Sequence, residues 1–156
     1  MVYRWLLFGH ILAAFSLLMN HGVSMYVLYA IRGQTDRRKI LDLITLSGRS
    51  ILPMYISIGL ILVFGFLLAL EIDALGEWWI WLSVILLVAV IGLMSATARP
   101  YFARVKEACE LRPSGVPRVS DEELQQILRS GTAHAITAIG AIGLVAIIYL
   151  MIFKPF

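Results

Sequence analysis

The sequence predicts an all-α, polytopic membrane protein, a bundle of four transmembrane helices. Three observations predict it. Hydrophobic residues make up 60% of the 156 residues at a mean hydropathy of +0.87, which excludes a soluble globular domain. Four stretches (5–31, 51–70, 78–98 and 133–153) contain no Asp, Glu, Lys or Arg, and crossing about 30 Å of hydrocarbon takes roughly 20 helical residues. Backbone groups in lipid must be bonded within their own segment, so such stretches read as helices. Spans and connections together form a single domain over 1–156, with no room for a soluble catalytic unit.

Helix one, 5–31, is the most polar span, with His10, Ser16, Asn20, His21 and Ser24. Gly33 and Gln34 end it. Thr35 and Asp36 then read as the cap of a short helix running to about Leu46. In that helix Ile40, Leu41 and Ile44 share one side and Arg37, Arg38 and Lys39 the other, a pattern that places it in the membrane surface. Ser47, Gly48, Arg49 and Ser50 read as a turn into helix two. Pro53 falls in the first turn of that helix, where a missing amide hydrogen costs little. Gly59 and Gly65 mark places for a close neighbour. The turn at 71–77 is so short that helices two and three are expected as antiparallel neighbours. Trp78, Trp79 and Trp81 read as a headgroup-level anchor.

Past Ala98 the third helix is expected to continue through 99–111, with Pro100 as a kink. Residues 112–117 read as a linker, and Ser120 with Glu123 as a capping box for an amphipathic helix bearing Leu124, Ile127 and Leu128. Helix four carries Ala133, Thr137 and Ala141 at four-residue spacing beside Gly140 and Gly143, a pattern that lets membrane helices pack closely.

The net charge is +3, and eleven of the thirteen basic residues fall in the connections 32–50 and 99–132. The connection between helices two and three holds only Glu71, Asp73 and Glu77. The excess of cations on alternate connections predicts that they face the cytoplasm of a bacterial-type inner membrane, with both termini outside. It reads as a topology signal and a contact with membrane lipid, not as a nucleic-acid site. Cys109 is the sole cysteine, which excludes an internal disulfide. Arg4 before an apolar run resembles a secretory signal, but the run is too long and lacks a small-x-small site before Arg32, so helix one is expected to be retained.

Chemistry narrows to His10, His21 and His134 as candidate ligands of a haem, a pigment or a metal. His10 and His21 are about three turns apart, so they point within about 20° of each other at about 16 Å separation along the axis. By rise per residue His10 lies about 10 Å outward of the midplane, His21 about 5 Å inward and His134 about 13 Å inward. That spacing separates His10 from His134 as partners on one haem. Asn20 reads either as an interhelical hydrogen bond or as a group orienting His21. No intramembrane carboxylate, phosphate loop, HExxH motif or hydrolase triad is present in the sequence. Paired helix breaks of the transporter kind are also missing.

Trp5 followed by Phe8-Gly9-His10-Ile11-Leu12 at the start of a small four-helix chain resembles the copper-resistance-D-like superfamily. That group includes the haem-binding protoporphyrinogen oxidases of the HemJ type and predicted integral membrane proteins of unassigned role. The resemblance covers helix one and the overall hydropathy profile, and it implies His10 as an axial ligand of haem b. The lysine that HemJ-type proteins carry after the aromatic start of helix three has no counterpart in 78–83. The uncharacterised branch therefore fits better than protoporphyrinogen oxidation. The expected function is a non-catalytic accessory or assembly subunit that binds other membrane subunits or itself. The alternative is a haem- or metal-binding redox protein using the helix-one histidines.

Overall fold

The computed structural model describes residues 1–155, and its regular elements are all helices. Helix α1, Val2–Ala30, tightens into a 3-10 turn over Ile31–Gly33 before the chain extends at Gln34. Helix α2, Arg37–Arg49, starts at Asp36, whose carboxylate accepts the amides of Arg38 and Lys39 at 2.9 and 3.4 Å. It runs past the expected end near Leu46, and only Ser50 separates it from α3, Ile51–Glu71. The serines read as a turn stay near-helical, with one hydroxyl turned to α1 and the other to a backbone carbonyl one turn back. Ser47 Oγ donates to Ser24 Oγ, and Ser50 Oγ donates to the Ser47 carbonyl.

Helix α4, Trp78–Cys109, continues well beyond its apolar stretch, with Pro100 inside it. Residues 110–118 form a closed turn, not an open linker. Arg112 N donates to Val116 O at 2.8 Å, and Gly115 supplies the φ of +77° that the turn requires. Ser120 then caps α5, Asp121–Leu128, by accepting the Glu123 amide at 3.2 Å, as the capping pattern predicts. Helix α6, Thr132–Phe153, ends at Lys154 in the left-handed conformation. Helices α1, α3, α4 and α6 are the four long and apolar enough to cross a membrane.

The spans associate as two pairs. α1 packs along α3 and α4 along α6, while α1 and α6 meet only briefly. The expectation that the second and third spans pack as neighbours fails. The short turn joins α3 to α4, yet they share almost no contact, because each already has a better-matched partner. Trp78 and Trp81 face outward, but Trp79 is buried and carries Lys154 Nζ 5.2 Å from its ring centre. This contact ties the start of α4 to the end of α6.

The fully buried core lies at the end bearing the basic connections. Val27, Leu28, Ile31, Ile40, Tyr101 and Val105 pack there with Leu124, Leu128, Ala133 and Ile136. The apolar side of α2 therefore faces protein, with Ile40 fully buried, and not the lipid surface as its pattern alone implied. Arginines close this cap. Arg37 Nη1 donates to the Ala108 carbonyl at 2.6 Å, and its Nη2 donates to Val119 O and to Asp121 Oδ1. Arg32 donates to the carbonyls of Ser130 and Arg129, and Gln125 to that of Gln34. Cations at helix C-terminal carbonyls satisfy orphan acceptors and oppose the negative end of the dipole.

Arg37 is only 14% exposed, whereas Asp121 is 83% exposed. Replacing Arg37 by Ala strands two carbonyls and is expected to lower stability by about 2 kcal/mol. Asp121→Ala is expected to cost well under about 1 kcal/mol, because its carboxylate is solvated. Chemical denaturation of the detergent-solubilised protein distinguishes the two, and equal losses would remove Arg37 as the closing group.

Candidate functional site

The candidate site is built on α1. At 100° per residue, Gly9, Ala13, Ser16, Asn20 and Ser24 fall on one arc and His10 and His21 on the adjoining one. The first arc meets α3. Ser57 Oγ lies 2.9 Å from Ser16 Oγ and 2.9 Å from the Pro53 carbonyl. Ser24 Oγ lies 3.1 Å from Ser50 Oγ and 3.0 Å from Ser47 Oγ. Asn20 Nδ2 turns back to the Ser16 carbonyl of its own helix at 2.8 Å, so it neither bridges helices nor orients His21.

His10 joins this seam from its edge. Its Nδ1 lies 3.1 Å from the Ile61 carbonyl of α3. A carbonyl only accepts, so the neutral ring carries its proton on Nδ1 and presents the lone pair on Nε2. Gly65 makes the approach possible. A Cβ there would stand 3.1 Å from His10 Cε1 and 3.3 Å from Nδ1. Gly9, opposite, leaves room for the ring of Phe64. Gly59, expected to admit a neighbour, has nothing within 4 Å of where its Cβ would be.

His21 faces the other pair of spans. A Cβ on Gly140 of α6 would stand 3.5 Å from His21 Nε2 and 3.3 Å from Met94 Sδ of α4. His21 makes no side-chain hydrogen bond among the described residues. Gly143 packs directly against Val90 of α4. The close-packing face of α6 is therefore Ala133, Ile136, Gly140 and Gly143, while Ala141 is exposed.

His134 is exposed at the start of α6 and belongs to a separate polar contact. The Tyr29 hydroxyl donates to Thr137 Oγ1 at 2.9 Å and lies 3.4 Å from His134 Nδ1. The rings of Tyr29 and His134 sit 5.8 Å apart between centres.

The three histidines thus occupy three different environments and do not converge. No cluster of three His, Cys, Asp or Glu side chains able to hold a metal ion exists among the described residues. Cys109 is buried in the core at the end of α4. No sequence signal marks Met94: a lone methionine in an apolar helix looks like packing, and only the tertiary approach of α1, α4 and α6 sets it beside His21. Comparison with family models, curated proteins and solved structures finds no match.

If Gly65 exists to admit the imidazole, Gly65→Ala is expected to displace His10 from Ile61 and destabilise the α1–α3 pair by about 1 kcal/mol, the scale of an interhelical hydrogen bond in lipid. Gly59→Ala is expected to be neutral. Thermal denaturation of both variants in the same detergent tests this, and equal behaviour would sink it.

Proposed function

We propose that the protein is a non-catalytic accessory or assembly subunit, held within the membrane against a larger complex. The observation that carries this reading is how little of each span the chain covers for itself. Between 6% and 17% of the residues in the four apolar windows are buried, lowest in α4. Gly22, Gly59 and Gly92 lie on three different spans, and a Cβ at any of them would meet nothing of the chain within 4 Å. Small residues on open helix faces let another membrane helix approach closely. The cap of α2, α5 and the end of α4 meanwhile joins the two pairs at one end. The clustering of basic residues beside that cap supports a cytoplasmic placement in a bacterial-type inner membrane, with both termini outside.

In membranes solubilised with mild detergent, the wild-type chain is expected to migrate far above its 17.4 kDa mass on a native gel. Gly59→Trp or Gly92→Trp is expected to release it from the assembly without changing its fold, because each indole would start from a face clear of the chain's own atoms. Migration of the wild type as a lone chain would overturn the reading.

A second reading is favoured by the tautomer of His10. With Nδ1–H committed to Ile61, Nε2 keeps its lone pair and would be the atom that holds the iron of a haem b. His21 and His134 face elsewhere and supply no second ligand to the same iron. When bound, haem would bring one-electron chemistry; His10 would hold it and α3 would fix the ring's orientation. A reduced-minus-oxidised visible spectrum of purified protein is expected to show a band that His10→Ala abolishes, and a featureless spectrum would dispose of this reading.

A further inference from the structure

We propose that the groove along the half of α1 nearer the basic cap seats one anionic phospholipid. An acyl chain lies against Gly22, Met25 and Tyr26, and the phosphate sits beside Arg32 and Arg129. The inference does not rest on the accessory-subunit reading or on haem at His10, and it uses neither Gly59 nor Gly92.

The groove has a volume of about 660 Å³ and is lined by Gly22, Met25, Tyr26, Tyr29, Ala30 and Gln34. Gly22 and Gln34 are twelve positions apart, which is about 18 Å at the rise of a helix. The hydrocarbon of one leaflet is about 15 Å deep, half of the full core. The groove therefore has the length of one acyl chain and only about half that of a crossing helix. Away from the cap, the same face of α1 carries Leu18 and Phe15, which are 39% and 62% exposed. They precede Gly22 by four and seven residues, the spacing that keeps side chains on one face. A partner helix would lose the groove midway along the span, whereas an acyl chain ends there. One wall is also fixed in advance. The Tyr29 hydroxyl donates to Thr137 Oγ1 of α6 at 2.9 Å, and Thr137 Oγ1 donates to the Ala133 carbonyl at 3.0 Å.

Charge selects the headgroup. The polar end of the groove, at Gln34, adjoins Arg32, whose guanidinium donates to the carbonyls of Ser130 and Arg129. Those bonds leave Arg32 further N–H donors, and they bring the backbone of the exposed Arg129 to the same place. Neither arginine pairs with a carboxylate among the described residues. Asp36, the acid nearest to Gln34 along the chain, accepts the amides of Arg38 and Lys39 instead. Two unneutralised cations at the mouth of an apolar groove match a phosphate at the head of a hydrocarbon chain. A zwitterionic headgroup brings a cation of its own and gains less there.

The test is native mass spectrometry of the whole chain in detergent, offered dioleoyl phosphatidylglycerol and dioleoyl phosphatidylcholine in equal amounts. The two lipids share their acyl chains and differ in net charge. The wild type is expected to retain one phosphatidylglycerol, with a preference of at least about tenfold from the two cations. Arg129→Gln is expected to lower that preference about fivefold. Gly22→Leu is expected to displace both lipids by filling the groove, and Gly92→Leu, on an open face of α4, to bind as the wild type does. Equal retention of the two lipids by the wild type overturns the proposal by itself, even if a variant fails to fold. Undiminished retention by Gly22→Leu, or an undiminished preference in Arg129→Gln, overturns it as well.

Discussion

Lipid offers no hydrogen bonds, and that constraint organises the first half of the molecule. The uncharged stretch of α1 beyond Arg4 carries His10, Ser16, Asn20, His21 and Ser24, and in hydrocarbon each must find a partner or remain costly. α3 and the end of α2 answer most of them at fixed heights: Ile61 for His10, Ser57 for Ser16, and Ser50 with Ser47 for Ser24. Each such bond in a membrane contributes on the order of 1 kcal/mol. Their larger effect is on register, since sliding α1 by one turn would break all of them together. The α4–α6 pair is held differently. Gly143 against Val90 and Gly140 against Met94 give shape in place of polarity, and dispersion from close contact is what attracts helices already surrounded by apolar tails.

Outside the spans the constraint reverses. Water competes for every polar group, and burial of apolar side chains regains its usual driving force. The deep core accordingly sits at the basic end, where Ile40, Val105, Leu124 and Leu128 are all but inaccessible. Arg37 and Arg32 bind carbonyls at the ends of α4 and α5 that have no helical partner. A cation that looks in sequence like part of a charged surface is, in Arg37, an internal fastener.

Much of this is legible in the chain. The apolar stretches begin within three residues of the observed starts of all four spans, because uncharged length is a signal that owes nothing to tertiary structure. Asp36 and Ser120 are recognisable as caps because capping is local chemistry. What the chain alone does not reveal depends on neighbours. Ser47 and Ser50 look like a turn until Ser24 takes up their hydroxyls. Gly59 and Gly65 look alike in sequence, yet only Gly65 meets a side chain. A short connection suggests that α3 and α4 pack together, but length limits how far ends can separate and does not decide which faces match. Among the histidines, equal pitch on one helix places His10 and His21 on similar azimuths. It cannot reveal that α3 holds one and that α4 and α6 approach the other.

The division into two pairs has a consequence for the order in which the chain is made. Every contact between α1 and α3 is complete once residue 71 has been synthesised, before any of the second pair exists. Arg37, by contrast, waits for carbonyls 71 and 82 residues further on. The first hairpin must therefore persist in the membrane on its own α1–α3 contacts, with α2 resting against α1 while its side toward α4 is still uncovered. Joining of the halves is a late event that takes place mainly at the water-facing end, after both hairpins are inserted, and the final closure is made by arginine and not by lipid-buried surface.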